Sequence, residues 1–254
     1  MKVIVIANQK GGIGKTTTAM ALSASLNHMG HKTLLIDADA QGNSSDTFRA
    51  GIEQQTTLYD VILAEDKVNI DEAIQHTENG DIVASDPLLR KADEILSGDV
   101  EGLYYLSDAL ANLKGYEYVV IDTAPALNII LYNCLIAANY VVIPITTDRY
   151  GIQGLVGLDQ TISAVQKRQN RDLKVAGLLL VKYNDRTVLG QSGKKSIIDM
   201  ATKMGTTVFD TMIRETVRVR EAQGARENLM HYAPDSTAAQ DYMEFTKELI
   251  RKIG

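Results

Sequence analysis

A glycine-rich segment at residues 9–17 constrains the fold of this 254-residue chain more than any other feature. It reads QKGGIGKTT, and it stands between an apolar, β-branched run at 3–7 and a stretch at 18–29. The run predicts a buried strand, and the stretch predicts a helix that ends near Gly30. A glycine-rich loop between a strand and a helix suits an anion such as phosphate. Its glycines let successive backbone N–H groups converge, and the helix dipole adds positive potential.

The end of this segment carries the groups that would hold the phosphates of a nucleotide. Lys15 can reach the β- and γ-phosphates, and the Thr16 hydroxyl can ligate magnesium. The ordinary pattern, G-x-x-x-x-G-K-[ST], is not met, because Gln9 stands at its first glycine and Lys10 adds a second lysine. An ordinary turn is one alternative, and a dinucleotide-binding loop, which needs glycine where Thr17 stands, is another. We assign phosphate binding to Gly11, Gly12, Ile13, Gly14, Lys15, Thr16 and Thr17.

Three aspartates follow predicted strands, at the edge where an open α/β sheet binds its ligands. Asp37 and Asp39 end the second predicted strand, and Asp122 ends a later one. Carboxylates at strand ends suit magnesium and an attacking water, although an aspartate in this position can also cap a turn. Their combination with the phosphate loop favours the metal. We assign Thr16, Asp37 and Asp122 as its ligands.

Together these motifs resemble the ParA/MinD family of deviant Walker A ATPases, and most closely its ParA/Soj-type DNA partition ATPases. The resemblance covers essentially the whole chain, and the segments that carry it are residues 8–18, 37–43, 118–125 and 149–154, with weaker matches at 183–187 and 213–222. The family usually places prolines after its strand-end aspartates, where this chain has Ala40 and Ala124. These departures leave the acidic groups in place.

The resemblance implies a P-loop ATPase that uses ATP and Mg²⁺ as a homodimer assembled across the nucleotide. In such enzymes Lys15 binds phosphate, Lys10 enters the nucleotide site of the partner, and Asp39 positions the attacking water. These three are therefore the expected catalytic residues, and Lys10 also counts as nucleotide-binding. Asn184 falls where family members contact adenine, although a turn-forming asparagine explains it equally well.

A basic segment late in the chain fits either a DNA-binding surface or a solvated face, and the family resemblance favours DNA. Residues 182–227 contain nine Lys/Arg and six Asp/Glu, a charge of +3 in a chain whose formal charge is −6. A solvated face of mixed charge is the alternative. By resemblance, Arg186 and Arg218 match positions that partition ATPases use for nonspecific binding to double-stranded DNA, and Arg214 stands where proline is usual. The further candidates are Lys194, Lys195, Arg214 and Arg220. The expected cycle binds DNA as an ATP dimer and releases it on hydrolysis stimulated by a ParB-like centromere-binding protein.

Composition and element order predict a single P-loop domain over residues 1–254. Predicted strands alternate with helices, which gives a doubly wound, mostly parallel α/β sheet with helices on both faces. The one cysteine, Cys134, excludes a disulfide framework and a cysteine-only metal site within one chain. We also expect helices at 57–64, 87–96, 100–113 and from 149 to about 168, and a terminal helix after Ser236.

No membrane association is expected, and the predicted localisation is cytoplasmic and nucleoid-associated. Residues 123–147 carry no charge, but prolines and asparagines interrupt them, which favours a buried helix followed by a buried strand. One rival function is a membrane-associated spatial regulator of the MinD type, which would need a basic amphipathic tail. Another is a metabolic or redox ATPase of the same superfamily, such as an iron–sulfur reductase. One cysteine per chain cannot supply the four thiolates of a shared cluster.

Overall fold

Seven strands form one sheet in the computed structural model, which describes residues 1–184 and 188–254, without the side chains of 149–153 and 188–192. In chain order they are β1 Lys2–Ile6, β2 Thr33–Ala38, β3 Ile74–Thr77, β4 Gly80–Val83, β5 Tyr118–Thr123, β6 Tyr140–Ile145 and β7 Lys174–Leu180. Their spatial order is β3-β4-β2-β5-β1-β6-β7, and every neighbouring pair is parallel except β3 with β4. The predicted doubly wound α/β fold is confirmed.

Helices connect the strands and cover both faces of the sheet. They are α1 Lys15–His28, α2 Asn43–Thr47, α3 Leu58–Ile62, α4 Ala92–Ile95, α5 Tyr105–Ala111, α6 Ile129–Ala137, α7 Arg149–Arg168, α8 Val188–Lys203, α9 Val217–Ala225, α10 Leu229–Tyr232 and α11 Thr237–Ile253. Two short 3-10 helices occupy Ile70–Ala73 and Pro87–Lys91. The predicted N-cap of the terminal helix is confirmed, because the Ser236 hydroxyl accepts a hydrogen bond from the backbone N–H of Ala239.

Two hydrophobic cores lie on opposite faces of the sheet. Val5 of β1 points into the core that includes Leu135 of α6. Its neighbour Ile4 points into the other core, with Leu22 of α1 and Phe245 of α11. This alternation is expected for a parallel strand that is buried on both sides. The sheet is therefore covered by α1 and α11 on one face and by α6 and its neighbours on the other.

Two sequence predictions need correction. Helix α1 begins at Lys15 rather than at residue 18, so the last three residues of the phosphate loop form its first turn. The helix predicted at 100–113 is wrong in extent, since α5 covers only Tyr105–Ala111. Its start is delayed because the Asp99 carboxylate accepts hydrogen bonds from the Glu101 N–H and the Tyr105 hydroxyl, which holds the preceding residues in a turn.

The uncharged stretch at 123–147 forms the buried helix α6 and the buried strand β6, as predicted. Cys134 lies within α6, and its side chain is fully buried. In the part of the chain that the structure describes, no helix combines the length and the apolar character needed to cross a bilayer.

Gly177 of β7 marks a close approach between the sheet and the segment before α9. A Cβ atom at this position would lie 2.7 Å from the ring of Phe209. That ring is buried and packs edge-on against Phe245, with 4.9 Å between the ring centroids. The aromatic pair therefore requires glycine on the neighbouring strand.

Gly177→Ala should lower the free energy of unfolding by about 1–3 kcal/mol, because the methyl group overpacks this contact. Urea denaturation measures the change. Gly224→Ala is the matched control: Gly224 lies in α9 with no atom within 4 Å of an added Cβ, so the control should be neutral or slightly stabilising. Equal stability of the two variants would contradict the packing argument.

Candidate functional site

The glycine-rich loop is shaped to present backbone N–H groups at the start of α1. Gly12 and Gly14 have φ angles of 67° and 102°, which side chains larger than hydrogen rarely adopt. Gly14 precedes Lys15, the first residue of α1, and the first N–H groups of a helix have no partner within it. The loop and the helix dipole thus favour an anion at this point, and phosphate binding by these residues stays a prediction.

Two lysine side chains contact the backbone of the phosphate loop. The Lys15 side chain is buried, and its Nζ lies 3.3 Å from the backbone oxygen of Lys10. Burial lowers the pKa of Lys15, while Asp122 and Asp39 oppose that shift. Lys182, just after β7, donates a hydrogen bond of 2.8 Å to the backbone oxygen of Gly12. No sequence pattern pointed to this role of Lys182, because 170 residues separate it from Gly12.

Asp37 and Asp122 lie side by side at the carboxyl edge of the sheet. The parallel register of β2 and β5 pairs them directly, and both side chains are fully buried. Asp37 accepts hydrogen bonds of 2.8 Å from the Ser45 N–H and hydroxyl, and Asp122 accepts one of 2.8 Å from the Ser44 hydroxyl. Burial raises the pKa of Asp37 to about 6 and, with repulsion from Asp37, that of Asp122 to about 7.

One oxygen of this pair lacks a protein partner. Asp122 Oδ1 is buried and makes no hydrogen bond, and the Thr16 hydroxyl is close enough to the same carboxyl group to oppose the rise of its pKa. Two adjacent carboxyl groups, a threonine hydroxyl and an unpartnered oxygen match the oxygen ligands of Mg²⁺, which usually keeps several waters and phosphate oxygens as well. Thr16, Asp37 and Asp122 therefore fit a magnesium ion bound with a nucleotide.

Asp39 lies at the surface of the same cleft. Its Oδ1 accepts a hydrogen bond of 3.0 Å from the Gln41 N–H, and the Ser85 hydroxyl donates to its backbone oxygen. These two contacts fix the backbone and the side chain at the end of β2 while Asp39 lines the cleft. This placement suits a residue that orients a water molecule.

Lys10 lies outside the cleft and is paired within its own chain. Its Nζ lies 2.7 Å and 2.8 Å from the two carboxylate oxygens of Asp148, and 3.3 Å from the Thr146 hydroxyl. The two loop lysines are thus in different environments: Lys15 faces the anion site, and Lys10 points to the segment between β6 and α7.

The cleft has a volume of about 630 Å³, which suits a nucleotide. One side is the phosphate loop with Asp39. The other side is formed after β7 and by the segment that leads into α9, and its described lining residues are Val181, Lys182, Ile213, Arg214, Glu215, Thr216, Val219, Arg220 and Gln223. Asn184 is exposed and stands outside the described lining, so its contact with adenine stays a prediction.

Comparison with known proteins identifies this arrangement. A family model described as an AAA domain matches residues 1–175. The chromosome partitioning protein ParA of Caulobacter vibrioides is 35% identical over 257 residues, covering 99% of this chain and 95% of the relative. The chain belongs to the ParA/Soj family of partition ATPases. The sporulation initiation inhibitor protein Soj of Bacillus subtilis is also 35% identical, with 98% of each chain covered.

A solved structure of similar shape contains the ligands that the site fits. It is described as cobyrinic acid a,c-diamide synthase from Mycobacterium smegmatis with bound ATP analogue and magnesium. It has a TM-score of 0.84 and 30% identity, and the match covers 99% of this chain and 95% of the other. The ParA-family chain described here is accordingly an ATPase that uses ATP and Mg²⁺.

The residues predicted to bind DNA occupy several places. Arg218 and Arg220 lie on α9 and are exposed, and Arg218 forms an ion pair of 2.8 Å with Glu221. Arg220 also lines the cleft. Lys194 and Lys195 lie on α8, where Lys195 is exposed and the Nζ of Lys194 lies 3.5 Å from the Sδ of Met212. Arg186 falls outside the described residues.

Arg214 borders the cleft, as Arg220 does, and an acidic residue of the terminal helix holds its side chain. It lines the nucleotide cleft, and its guanidinium pairs with Asp241 of α11 at 2.7 Å. Sequence reasoning placed it with the DNA surface because it is basic and lies in a basic segment. The structure places it on the lining of the cleft, and its contact with DNA stays a prediction.

Sequence reasoning also missed polar partners that complete the site. Ser44 and Ser45 hold the two buried carboxyl groups, and they directly follow the motif that ends at Asn43. That adjacency is a signal that the sequence does offer. No such signal pointed to Asp148 or Asp241, since their partners, Lys10 and Arg214, are distant from them in the chain.

Asp122→Asn should make the free protein more stable at pH 8, in the absence of magnesium and nucleotide, by about 2 kcal/mol or more. Folding raises the pKa of the Asp122 carboxyl group from 3.8 to about 7. Such a group stabilises the folded protein fully below pH 3.8, and this contribution is lost as the pH rises through about 7. The gain should therefore vanish near pH 4.

Urea denaturation from pH 4 to pH 8 measures this dependence. Asp235→Asn, at an exposed position before α11, is the control for charge removal. A stability difference for Asp122→Asn that stays constant with pH would show that its carboxyl group does not titrate as described.

Proposed function

We propose that this protein is a ParA-type partition ATPase that binds DNA as an ATP-dependent homodimer and releases it on hydrolysis. The observation that carries the proposal is the separation of the two loop lysines. Lys15 serves the cleft of its own chain, whereas Lys10 lies outside that cleft. The near-full-length similarity to ParA and Soj, at 35% identity, supports the same function.

Within one chain, different groups at the phosphate end of the site bind the phosphates, the magnesium ion and the attacking water. Backbone N–H groups at the start of α1 and the Lys15 ammonium bind phosphate oxygens. Thr16, Asp37 and Asp122 hold magnesium, which neutralises phosphate charge when bound. Asp39 orients the attacking water from the edge of the cleft. None of these groups needs to move far, because the strand ends and the Ser44 and Ser45 contacts fix them.

Dimerisation would give Lys10 a new partner. In the free chain its ammonium group is neutralised by Asp148. The ATP-bound chain carries phosphate charge at its cleft. A second chain that places its Lys10 in this cleft would replace the contact between that lysine and its half-exposed Asp148 carboxylate by a contact with phosphate. The dimer would therefore assemble only when ATP is bound, because the nucleotide supplies the charge that Lys10 meets.

DNA binding is assigned to α9, with Arg218 as its central residue. Two contacts connect α9 to the nucleotide site: the Gln223 amide lies 3.2 Å from the Thr17 hydroxyl, and Arg226 pairs with Asp46 of α2 at 2.6 Å. Helix α2 follows Asp39 in the chain. A change in this region on hydrolysis would thus reach the helix that carries Arg218, which is the basis of a two-state switch.

The membrane rival is weakened by the terminal helix. The apolar side chains Tyr242, Phe245, Leu249 and Ile253 of α11 are buried in the protein core. This apolar face of α11 is therefore packed against the protein. It could contact a lipid surface only if the helix separated from the sheet.

A metabolic role is the second candidate, since the Mycobacterium smegmatis structure is named as an amide synthase. Its identity of 30% is lower than the 35% of the partition proteins. Activity that responds to DNA and to a ParB-like centromere-binding protein would favour partition, whereas activity that requires a carboxylic acid and an amide donor would favour synthesis. In the partition role the protein would be cytoplasmic and associated with the nucleoid.

Arg218→Glu should abolish ATP-dependent binding to random duplex DNA while ATP-dependent dimerisation survives. Each lost phosphate contact should lower the slope of log affinity against log salt by about 0.9, equally on all sequences. Fluorescence anisotropy at several salt concentrations measures binding, and light scattering on the same samples measures dimerisation.

Arg171→Glu is the matched control, because it makes the same charge change at an exposed turn before β7, at the opposite edge of the sheet from the cleft. It should bind DNA like the natural chain. DNA affinity that is unchanged in a dimeric Arg218→Glu variant would contradict the assignment of α9.

A further inference from the structure

Four buried residues at the carboxyl edge of the sheet form a closed ring of hydrogen bonds. Asp37 accepts one of 3.2 Å from the Asp39 N–H and one of 2.8 Å from the Ser45 hydroxyl. The Ser45 hydroxyl oxygen accepts a hydrogen bond of 2.9 Å from the Ser85 N–H. The Ser85 hydroxyl closes the ring, because it donates a hydrogen bond of 2.6 Å to the backbone oxygen of Asp39. The ring therefore ties the end of β2 to α2 and to the residues that follow β4.

The ring holds the backbone of Asp39 on both sides of its Cα atom. Its N–H is bonded to Asp37, and its carbonyl oxygen is bonded to Ser85. The carboxyl group of Asp39 lies at the cleft and accepts a hydrogen bond of 3.0 Å from the Gln41 N–H. Two backbone contacts and one side-chain contact thus determine where this carboxylate lies. Of the three partners, Ser85 alone comes from outside residues 37–41.

Ser85 is itself anchored by two helices. The peptide group that joins Ala84 to Ser85 is hydrogen bonded at both of its polar atoms. The Ala84 oxygen accepts a hydrogen bond of 2.8 Å from the Leu58 N–H of α3, and the Ser85 N–H donates to Ser45 of α2. Ser85 is 2% exposed and stands outside the described lining of the cleft. Its hydroxyl therefore acts on Asp39 from the interior of the protein.

We propose that Ser85 is a positioning residue for ATP hydrolysis. Its hydroxyl holds the backbone of Asp39, so that the Asp39 carboxylate stays where it orients the attacking water. A water must be held close to its line of attack, and a small displacement of the group that orients it lowers the rate. The inference rests on the role proposed above for Asp39, and it extends that role to a residue that no sequence motif singled out.

The contacts of Ser85 predict an effect on turnover rather than on nucleotide binding. Ser85→Ala removes the hydroxyl group but keeps the backbone N–H, so the hydrogen bond to Ser45 survives and Asp37 retains its donors. Within the described part of the chain, no hydrogen bond joins Ser85 to the phosphate loop. The variant loses only the contact that fixes the Asp39 carbonyl group, and its carboxylate is then free to shift away from the water.

The test is a double-mutant cycle between Ser85 and Asp39, measured as kcat at saturating MgATP. Ser85→Ala should lower kcat about 10-fold or more in the natural chain. In the Asp39→Ala background the same change should alter kcat less than about 2-fold, because Ser85 acts through Asp39. Titration calorimetry should show the same MgATP affinity for Ser85→Ala as for the natural chain, and urea denaturation confirms that the variant is folded.

Ser25→Ala is the matched control, because it removes the hydroxyl of a buried serine on α1 that has no hydrogen-bond partner among the described residues. It should alter neither kcat nor affinity. Unchanged turnover in Ser85→Ala beside reduced turnover in Asp39→Ala would overturn the role of Ser85 alone. So would an equal loss in the Asp39→Ala background, or a parallel loss of MgATP affinity. Natural turnover in Asp39→Ala would contradict the role proposed for Asp39, and that of Ser85 would fall with it.

Discussion

The burial of two carboxyl groups side by side is the constraint on which the site depends. Asp37 and Asp122 are register neighbours on adjacent strands, and neither is exposed to solvent. Burial disfavours the charged form of both groups and raises both pKa values, and repulsion from Asp37 raises that of Asp122 further. Serine donors offset part of this cost, but Asp122 Oδ1 has no protein partner. A bound cation would supply the missing partner. The free protein is thus organised around a charge that arrives with the nucleotide.

The same site is built by parts of the chain that are distant in sequence. The phosphate loop and the aspartates come from the first half, whereas the opposite wall of the cleft comes from the segment before α9. That wall is held by α11, whose Tyr242 hydroxyl also lies 3.0 Å from the Thr18 hydroxyl of α1. The terminal helix therefore contacts both sides of the cleft. Its apolar face packs into one of the two hydrophobic cores, and its Asp241 holds Arg214 at the cleft.

The sequence predicted the parts of this structure that depend on local pattern. Apolar runs that end in aspartate located β2 and β5, and the glycine-rich loop located the start of α1 within three residues. It did not predict β3, whose four residues, Ile74–Thr77, are too few and too polar to show a strand pattern. It also overestimated α5, because the turn-forming contacts of the Asp99 side chain outweigh helical propensity there.

Contacts across long sequence separations could not be predicted in the same way. The charge of the segment 182–227 suggested one basic surface, but the structure separates its members. Arg218 lies exposed on α9, while Arg214 turns toward the cleft and pairs with Asp241. A sum of charges cannot distinguish these two residues, because the difference comes from an acidic partner 27 positions away. The pairing of Lys10 with Asp148 is hidden from the sequence for the same reason.

The central claim is that the loop at the start of α1 binds the phosphates of ATP with Lys15 as its principal cation. Titration calorimetry of MgATP into the natural chain and into Lys15→Ala tests this claim most directly. The natural chain should show saturable binding, and the variant should lose at least about two orders of magnitude in affinity, because its anion site lacks the charge-assisted contact. Equal affinity of the two proteins for MgATP would contradict the account.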